Sequence, residues 1–123
     1  MGTWGSGNFE NDAALDYAGQ LVDQLADRVD ELLEDDAADL DEEGEGVLMP
    51  SIAFIAALVQ ESQCSPPDAA RIRGWRESYL MIFDEQIDGL DPDPAFKIDR
   101  RRVIEHTFDR LIALAARAEE NAE

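Results

Sequence analysis

A chain of 123 residues, 45% of them apolar, is long enough for one hydrophobic core and too apolar for wholesale disorder. Its formal net charge of −19 repels nucleic-acid phosphates and anionic membranes, which argues against binding either and favours a basic protein or a cation. Cys64 is the only cysteine, so no internal disulfide can form, and no charged-then-apolar leader opens the chain; the expectation is one cytoplasmic domain over residues 1–123.

Residues 1–11 are rich in glycine. Gly2, Gly5 and Gly7 open backbone conformations closed to other residues, and Trp4 and Phe9 are large enough to dock on helices and staple the arm down. Asn11 or Asp12 suits a helix cap. Leu15, Ala18, Val22, Leu25, Val29 and Leu32 then recur in alternating steps of three and four, widened by Leu21 and Leu33, which predicts a helix over 12–36. Charge is unevenly divided along the chain. Residues 1–65 hold sixteen acids against Arg28 alone, net −15, while residues 66–123 hold thirteen acids against nine bases, net −4. From Asp30 to Glu45 there are ten acids in sixteen residues and no base. Like charges four apart, such as Asp27 and Glu31, each cost roughly 0.2–0.5 kcal/mol in a helix, and acids at a helix C-terminus oppose its dipole. The helix should therefore end near Asp36 and pass into a loop completed by Gly44 and Gly46.

The segment Val47 to Val59 is the most apolar. Its 13 residues, interrupted by Pro50 and Ser51, are too few to span a bilayer. A helix over about 49–62 is apolar nearly all round and is expected at the centre of the fold. Ser65-Pro66-Pro67-Asp68 has the form of a capping box, with Ser65 as cap. The third helix then carries Ile72, Trp75, Tyr79, Ile82, Phe83 and Ile87 at helical spacing, with Gly74 a point of bending and Gly89-Leu90 a helix-ending pair. Asp91-Pro92-Asp93-Pro94 is a rigid turn in which Asp93 caps a fourth helix over about 94–120. Ile104, Phe108, Leu111 and Ala115 share one face of it, flanked by Val103 and Leu114. The fold class is all-α: four helices arranged around the Val47–Val59 helix, with the Gly-rich arm packed on the outside.

Few residues carry chemistry. His106, the only histidine, points away from the apolar stripe, beside Arg102 and Arg110, and reads as a surface residue. Cys64 precedes a helix start, where the dipole can lower a thiol pKa, but it meets His106 only if the fold unites them. Asp39, Asp41, Glu43 and Gly44 occupy positions one, three, five and six of a calcium loop, yet Pro50 stands where the twelfth position needs a bidentate glutamate. GTWGSG lacks the strand and the Lys-Ser/Thr of a phosphate loop. Met1-Gly2 with Ser6 fits a loose myristoylation pattern without the basic residues that reinforce an anchor. Arg71, Arg73, Arg76, Arg100, Arg101 and Arg102 are expected to pair with the acidic half or with Asp84, Glu85 and Asp99. No competent catalytic set, metal site or cofactor motif emerges.

The opening Met1-Gly2-Thr3-Trp4-Gly5-Ser6-Gly7-Asn8-Phe9-Glu10-Asn11-Asp12, followed by Ala14 and Asp16-Tyr17, resembles the start of a bacterial family known as domain of unknown function 4259. Members similarly open Met-Gly-x-Trp-Gly-x-Gly-x-Phe-x-Asn-Asp and then enter a helix. Leu40-Asp41 and the small-residue stretch Ala53–Leu58 are similar more loosely, and Trp75–Leu114 only in helical character. The resemblance implies a small, largely helical protein and transfers no catalytic residues.

The leading expectation is a non-enzymatic binding module, of the inhibitor or immunity kind. It would engage a basic protein through Asp23, Asp27, Asp30, Glu34, Asp39, Asp41, Glu42 and Glu43, gaining association rate from electrostatic steering. The alternative is a small enzyme or a cation- or ligand-binding domain that uses the Gly-Trp-Gly arm, with Trp4, Asn11, Asp12 and Asp16 forming a polar site. Asp12 and Asp16, four apart, share a helix face. A third reading is salt adaptation with no special partner, which requires marginal folding at low salt.

Overall fold

The computed structural model describes residues 2–122, so Met1, the first residue of the opening motif and of the myristoylation pattern, lies outside the described residues. Helix α1 covers Asp12–Glu34, α2 Met49–Ser62, α3 Ala69–Gln86 and α4 Pro94–Asn121. A π-helical turn, Gly44–Leu48, leads into α2, and a 3₁₀ turn, Ile87–Leu90, follows α3. No strand forms among the described residues; Thr3 and Asn11 make a single antiparallel bridge.

The start of α1 follows from Asn11. Its backbone is extended, and its Oδ1 accepts a hydrogen bond from the Ala14 N–H at 2.8 Å, satisfying one of the helix's open donors. Ala18, Val22, Ala26, Val29 and Leu32 are buried along the inner face. Leu15 and Leu25, expected on the central stripe, pack at its edge. The helix ends at Glu34, and Asp36 turns the chain with a left-handed φ of 54°. Among acids that repel one another and oppose the dipole, this is where the helix is weakest.

The acidic segment after α1 is tied down rather than loose. Ala38 and Leu40 are buried. Gln86 at the end of α3 accepts from the Leu40 N–H at 2.9 Å and donates to Asp39 Oδ1 at 2.7 Å. The chain becomes helical again at Gly44, so the expected loop through Gly44 and Gly46 is corrected to a π turn continuous with α2. Gly44 is required by space, not by conformation. A Cβ there would lie 2.3 Å from the Ala38 carbonyl oxygen and 2.9 Å from the Tyr79 ring.

Helix α2 packs on α1 and α4, and α3 packs on α4 and α1, so the four helices form a closed cycle of neighbours. The core is built from Val22, Val29, Leu32, Leu48, Ile52, Ile55, Ile72, Tyr79, Phe83, Ile104, Phe108 and Leu111. All four residues expected on the inner face of α4 are buried. Ser51 and Ser62, buried in α2, donate to the carbonyls of Val47 and Leu58 one turn back. The expectation of an α2 at the centre of the fold is corrected: Ile52, Ile55, Ala56 and Val59 face the core, while Phe54 is 58% exposed. In a cycle of four helices each member has an outer face, and α2 keeps its apolar residues there too.

Two terminus expectations and one bend are also corrected. Ser65 does not cap α3; the helix starts at Ala69, whose N–H is accepted by Glu119 Oε1 of α4 at 2.9 Å. Pro66 and Pro67 hold the residues before them out of the helical region, which delays the start. Gly89 does not end α3, which stops at Gln86; Gly89 lies inside the 3₁₀ turn that follows, Asp91 closes that turn with a left-handed φ of 51°, and Leu90 is left half exposed. α3 runs unbroken through Gly74, which stands in open space. The turn into α4 follows the sequence, with Asp93 Oδ1 accepting from the Ala95 N–H at 2.8 Å and Pro94 first inside.

The N-terminal arm folds back on itself. The Trp4 N–H donates to the Glu10 carbonyl at 3.0 Å, and the Asp12 N–H to the Gly2 carbonyl at 2.6 Å. No described glycine has a positive φ, so the expected use of the glycines for forbidden conformations is corrected. Phe9 packs against the core as expected, but Trp4 is 56% exposed. The arm pairs with its own backbone and with the first residue of α1 rather than lying along the helices, which leaves Trp4 on the outside.

Candidate functional site

The acidic residues of 23–45 divide into those bound within the fold and those left to solvent. Asp30 is bound by both of its oxygens. Oδ1 accepts from the Trp75 indole N–H at 2.7 Å, and Oδ2 accepts from Arg71 Nε at 3.1 Å and from Arg71 Nη2. Arg71 also reaches Asp27 Oδ1 at 3.3 Å, and its guanidinium lies 5.3 Å from the Trp75 ring centroid. Burial pulls the Arg71 pKa down, but the hydrogen bonds and charges of Asp30 and Asp27 outweigh it and hold the pKa above its ordinary value. Arg28, the one base of the acidic half, bridges Glu43 at 2.6 Å and Glu31 at 3.4 Å. Asp39 is held by Gln86. Asp23, Glu34, Asp41 and Glu42 are exposed, as are Asp35 and Asp36, and none of these six makes a side-chain ion pair among the described residues.

Glu45 closes the segment and belongs to a site that sequence reasoning missed. Arg100 of α4 grips its carboxylate at both oxygens, 2.8 and 2.9 Å, and the Tyr79 hydroxyl of α3 donates to Oε2 at 2.6 Å. Burial pushes the Glu45 carboxyl pKa up, but the hydrogen bonds from Arg100 and Tyr79 hold it below its ordinary value. Burial, then the Glu45 hydrogen bond and charge, push the Tyr79 hydroxyl pKa far up, so it acts as a fixed donor and not as an acid. One signal was present in the sequence. Trp75 and Tyr79 lie on the core stripe with polar tips, and a buried tip of this kind needs a partner.

The expected arginine pairing is met in part: Arg71, Arg100, Arg101 and Arg102 reach expected partners, Arg76 pairs with α4 residues that were not expected, and Arg73 makes no ion pair among the described residues. Arg101 forms a two-pronged bridge to Asp84 at 2.9 and 3.0 Å, Arg102 lies 3.8 Å from Asp99, and Arg76 bonds Asp109 at 2.9 Å. Glu85 makes no such bridge among the described residues.

A second feature lies on the outer side of the α1–α2 pair. Phe9, Leu21, Leu25, Phe54, Ala57 and Leu58 line an open hollow of about 540 Å³, with Gln24 and Glu61 as its polar members. This is within the size range of ligand pockets.

The residues of the alternative site are placed separately. Asn11 Oδ1 is committed to capping. Asp12 is exposed beside Gly2, where a Cβ would run into its carboxylate. Asp16 lines a hollow of about 480 Å³ with Gly19, Asp23, Gln63 and Cys64, whose walls do not include Trp4, Asn11 or Asp12. Cys64 is buried, and His106 sits in another hollow beside Ala53 and Arg110, so the fold does not bring them into one site. In the loop that resembles part of a calcium site, the Asp39 and Glu43 carboxylates are drawn to Gln86 and Arg28 in turn. No group of three or more His, Cys, Asp or Glu residues among those described is placed to hold a metal ion.

No helix among the described residues is long and apolar enough to cross a membrane. A family model described as Domain of unknown function (DUF4259) matches residues 2–121, so the likeness runs through the second half of the chain as well as the opening motif. Comparisons with curated proteins and with solved structures return no match.

Proposed function

The chain belongs to that family, whose description assigns no activity, and from its surface we propose that it is a non-enzymatic protein-binding module, of the inhibitor or immunity kind, for a basic partner. One observation carries this reading. After the fold has used Asp27, Asp30, Asp39, Glu43 and Glu45 for its own pairing, Asp23, Glu34, Asp35, Asp36, Asp41 and Glu42 remain exposed without a base beside them. Uncompensated like charge costs stability, and at the edge of an interface it steers an opposite charge into contact. The partner-binding set is therefore narrowed to Asp23, Glu34, Asp41 and Glu42, while Asp27, Asp30, Asp39 and Glu43 are already partnered within the fold.

The test is affinity capture by the full chain at low ionic strength, followed by titration of the purified partner. Binding should weaken steeply as salt rises through about 0.1 M, where the screening length is about 10 Å. The combined substitution Glu34→Lys, Asp41→Lys and Glu42→Lys should abolish it. A partner bound equally well at high salt, or none retained at low salt, overturns the reading.

The alternative of a ligand or cation site at Trp4, Asn11, Asp12 and Asp16 draws support from Trp4 alone, whose exposed ring can stack on a ligand. It ranks second because Asn11 is spent on the cap and Asp16 opens into a different hollow.

A further inference from the structure

The geometry points to the hollow between α1 and α2 as a groove that receives an apolar-faced helix of a basic protein. Single exposed apolar residues are ordinary on protein surfaces, and Phe54 alone would mean nothing. Here it stands over a continuous apolar wall: Leu21 and Leu25 from α1, Ala57 and Leu58 from α2, and Phe9 from the arm at one end. The wall residues fall at 21, 24 and 25 on one helix and at 54, 57, 58 and 61 on the other. These are the i, i+3, i+4 and i+7 positions whose ridges and grooves accept a third helix laid along a pair. Tyr17, 61% exposed and one turn before Leu21, extends the same face.

Charge selects the occupant. The groove belongs wholly to residues 1–65, net −15, and the one base of that half, Arg28, is already bound to Glu31 and Glu43. Glu61, the charged residue on the wall, makes no ion pair among the described residues and can take a lysine or arginine beside the docked apolar stripe. A second copy of this chain brings another −19 and is repelled, as is an anionic lipid surface. Only the sign of the partner's charge rests on the proposed function; the groove and its helical ridges stand apart from it, since the exposed acids at 34–42 do not line the groove.

The test is titration of the full, isotopically labelled chain with three synthetic peptides, read by amide chemical shifts. One is an amphipathic helix of leucine and lysine, one a scramble of equal composition and charge without an apolar face, and one the leucine–glutamate counterpart. The leucine–lysine helix should bind with shifts concentrated at Leu21, Leu25, Phe54, Leu58 and Glu61, and Phe54→Asp, at an exposed position that leaves the core intact, should weaken it at least about tenfold. The scramble should bind about tenfold more weakly, and the leucine–glutamate helix not at all. Equal binding of helix and scramble, shifts confined to 34–42, or no binding of the leucine–lysine helix overturns the groove. A concentration-dependent dimer dissociated by Phe54→Asp overturns it in favour of a second copy. The Lys substitutions at 34, 41 and 42 separate the two proposals: they should abolish capture of the basic partner and leave the peptide's shift pattern in the groove unchanged.

Discussion

Tyr79 shows how one side chain sets its surroundings. Its ring is fully buried and lies 6.5 Å from that of Phe108, its edge forbids any side chain at position 44, and its hydroxyl fixes Glu45 for Arg100. The three residues join α3, the π turn and α4 across sequence separations of 34 and 55. A charged, partly buried pair left with one member is penalised more than a neutral one. Glu45→Gln should therefore lower stability by about 1–2 kcal/mol at neutral pH, because the amide still accepts from Tyr79 but no longer balances Arg100. The pH dependence has a definite sign. A carboxylate whose pKa is depressed in the folded protein contributes stability above its ordinary value of 4.5, and the contribution is lost as pH falls through the folded value. In urea titrations at a series of pH values, the gap between the wild-type chain and Glu45→Gln should be constant near neutrality and close below pH 4.5. A gap that widens on acidification would contradict the assignment. The polar tips of Trp75 and Tyr79 were legible as needing partners; which carboxylates answer them was not, because partners so far apart in the chain are chosen by the packing of helices.

The helices were legible to within a few residues wherever a local device sets the boundary. Asn11, Asp93 and Pro94 act through neighbours two or three residues away, so their roles can be read from the sequence. Boundaries went wrong where a distant residue intervenes. Ser65 had the form of a cap, yet the open donor at Ala69 is satisfied from α4 by Glu119. Gly44 looked like a loop glycine, yet it lies in a π turn and is there because the Ala38 carbonyl and Tyr79 leave no room for a side chain. The glycines therefore differ in a measurable way. Gly44→Ala should cost about 2 kcal/mol through overpacking, whereas Gly74→Ala, exposed in mid-helix with nothing within 4 Å, should add about 0.5–1 kcal/mol by removing backbone entropy from the unfolded chain. Urea midpoints measured side by side check this, and a stable Gly44→Ala variant would mean that the turn can shift without loss.

The charge of −19 acts on the fold as a whole. Repulsion among carboxylates is greater in the compact state than in the expanded one, so screening should raise stability. Salt also weakens ion pairs such as Arg101–Asp84 and Arg28–Glu43, but exposed pairs contribute only about 0–1 kcal/mol each. The melting temperature should therefore rise from low ionic strength to about 0.15 M, where the screening length is about 8 Å. A fall, followed by thermal unfolding monitored by circular dichroism, would show that the ion pairs dominate. The uneven distribution of this charge also bears on recognition. α1 and the segment that follows it carry most of the unbalanced acid, and α1 and α2 form the apolar groove, whereas α3 and α4 carry the arginines that reach across to Asp30 and Glu45.

Periodicity, capping residues and proline positions are properties of a few adjacent residues, and they suffice for four helices, their approximate ends and the apolar face of each. Composition likewise settles the sign and size of the charge. Which carboxylates are spent and which face solvent depends on where arginines from α3 and α4 arrive, and that follows from the cycle in which the helices pack. The same cycle gives α2 an outer face and leaves Phe54 on it. Burial and ion pairing are relations between distant segments, so they are decided by the folded arrangement and not by any local pattern along the chain.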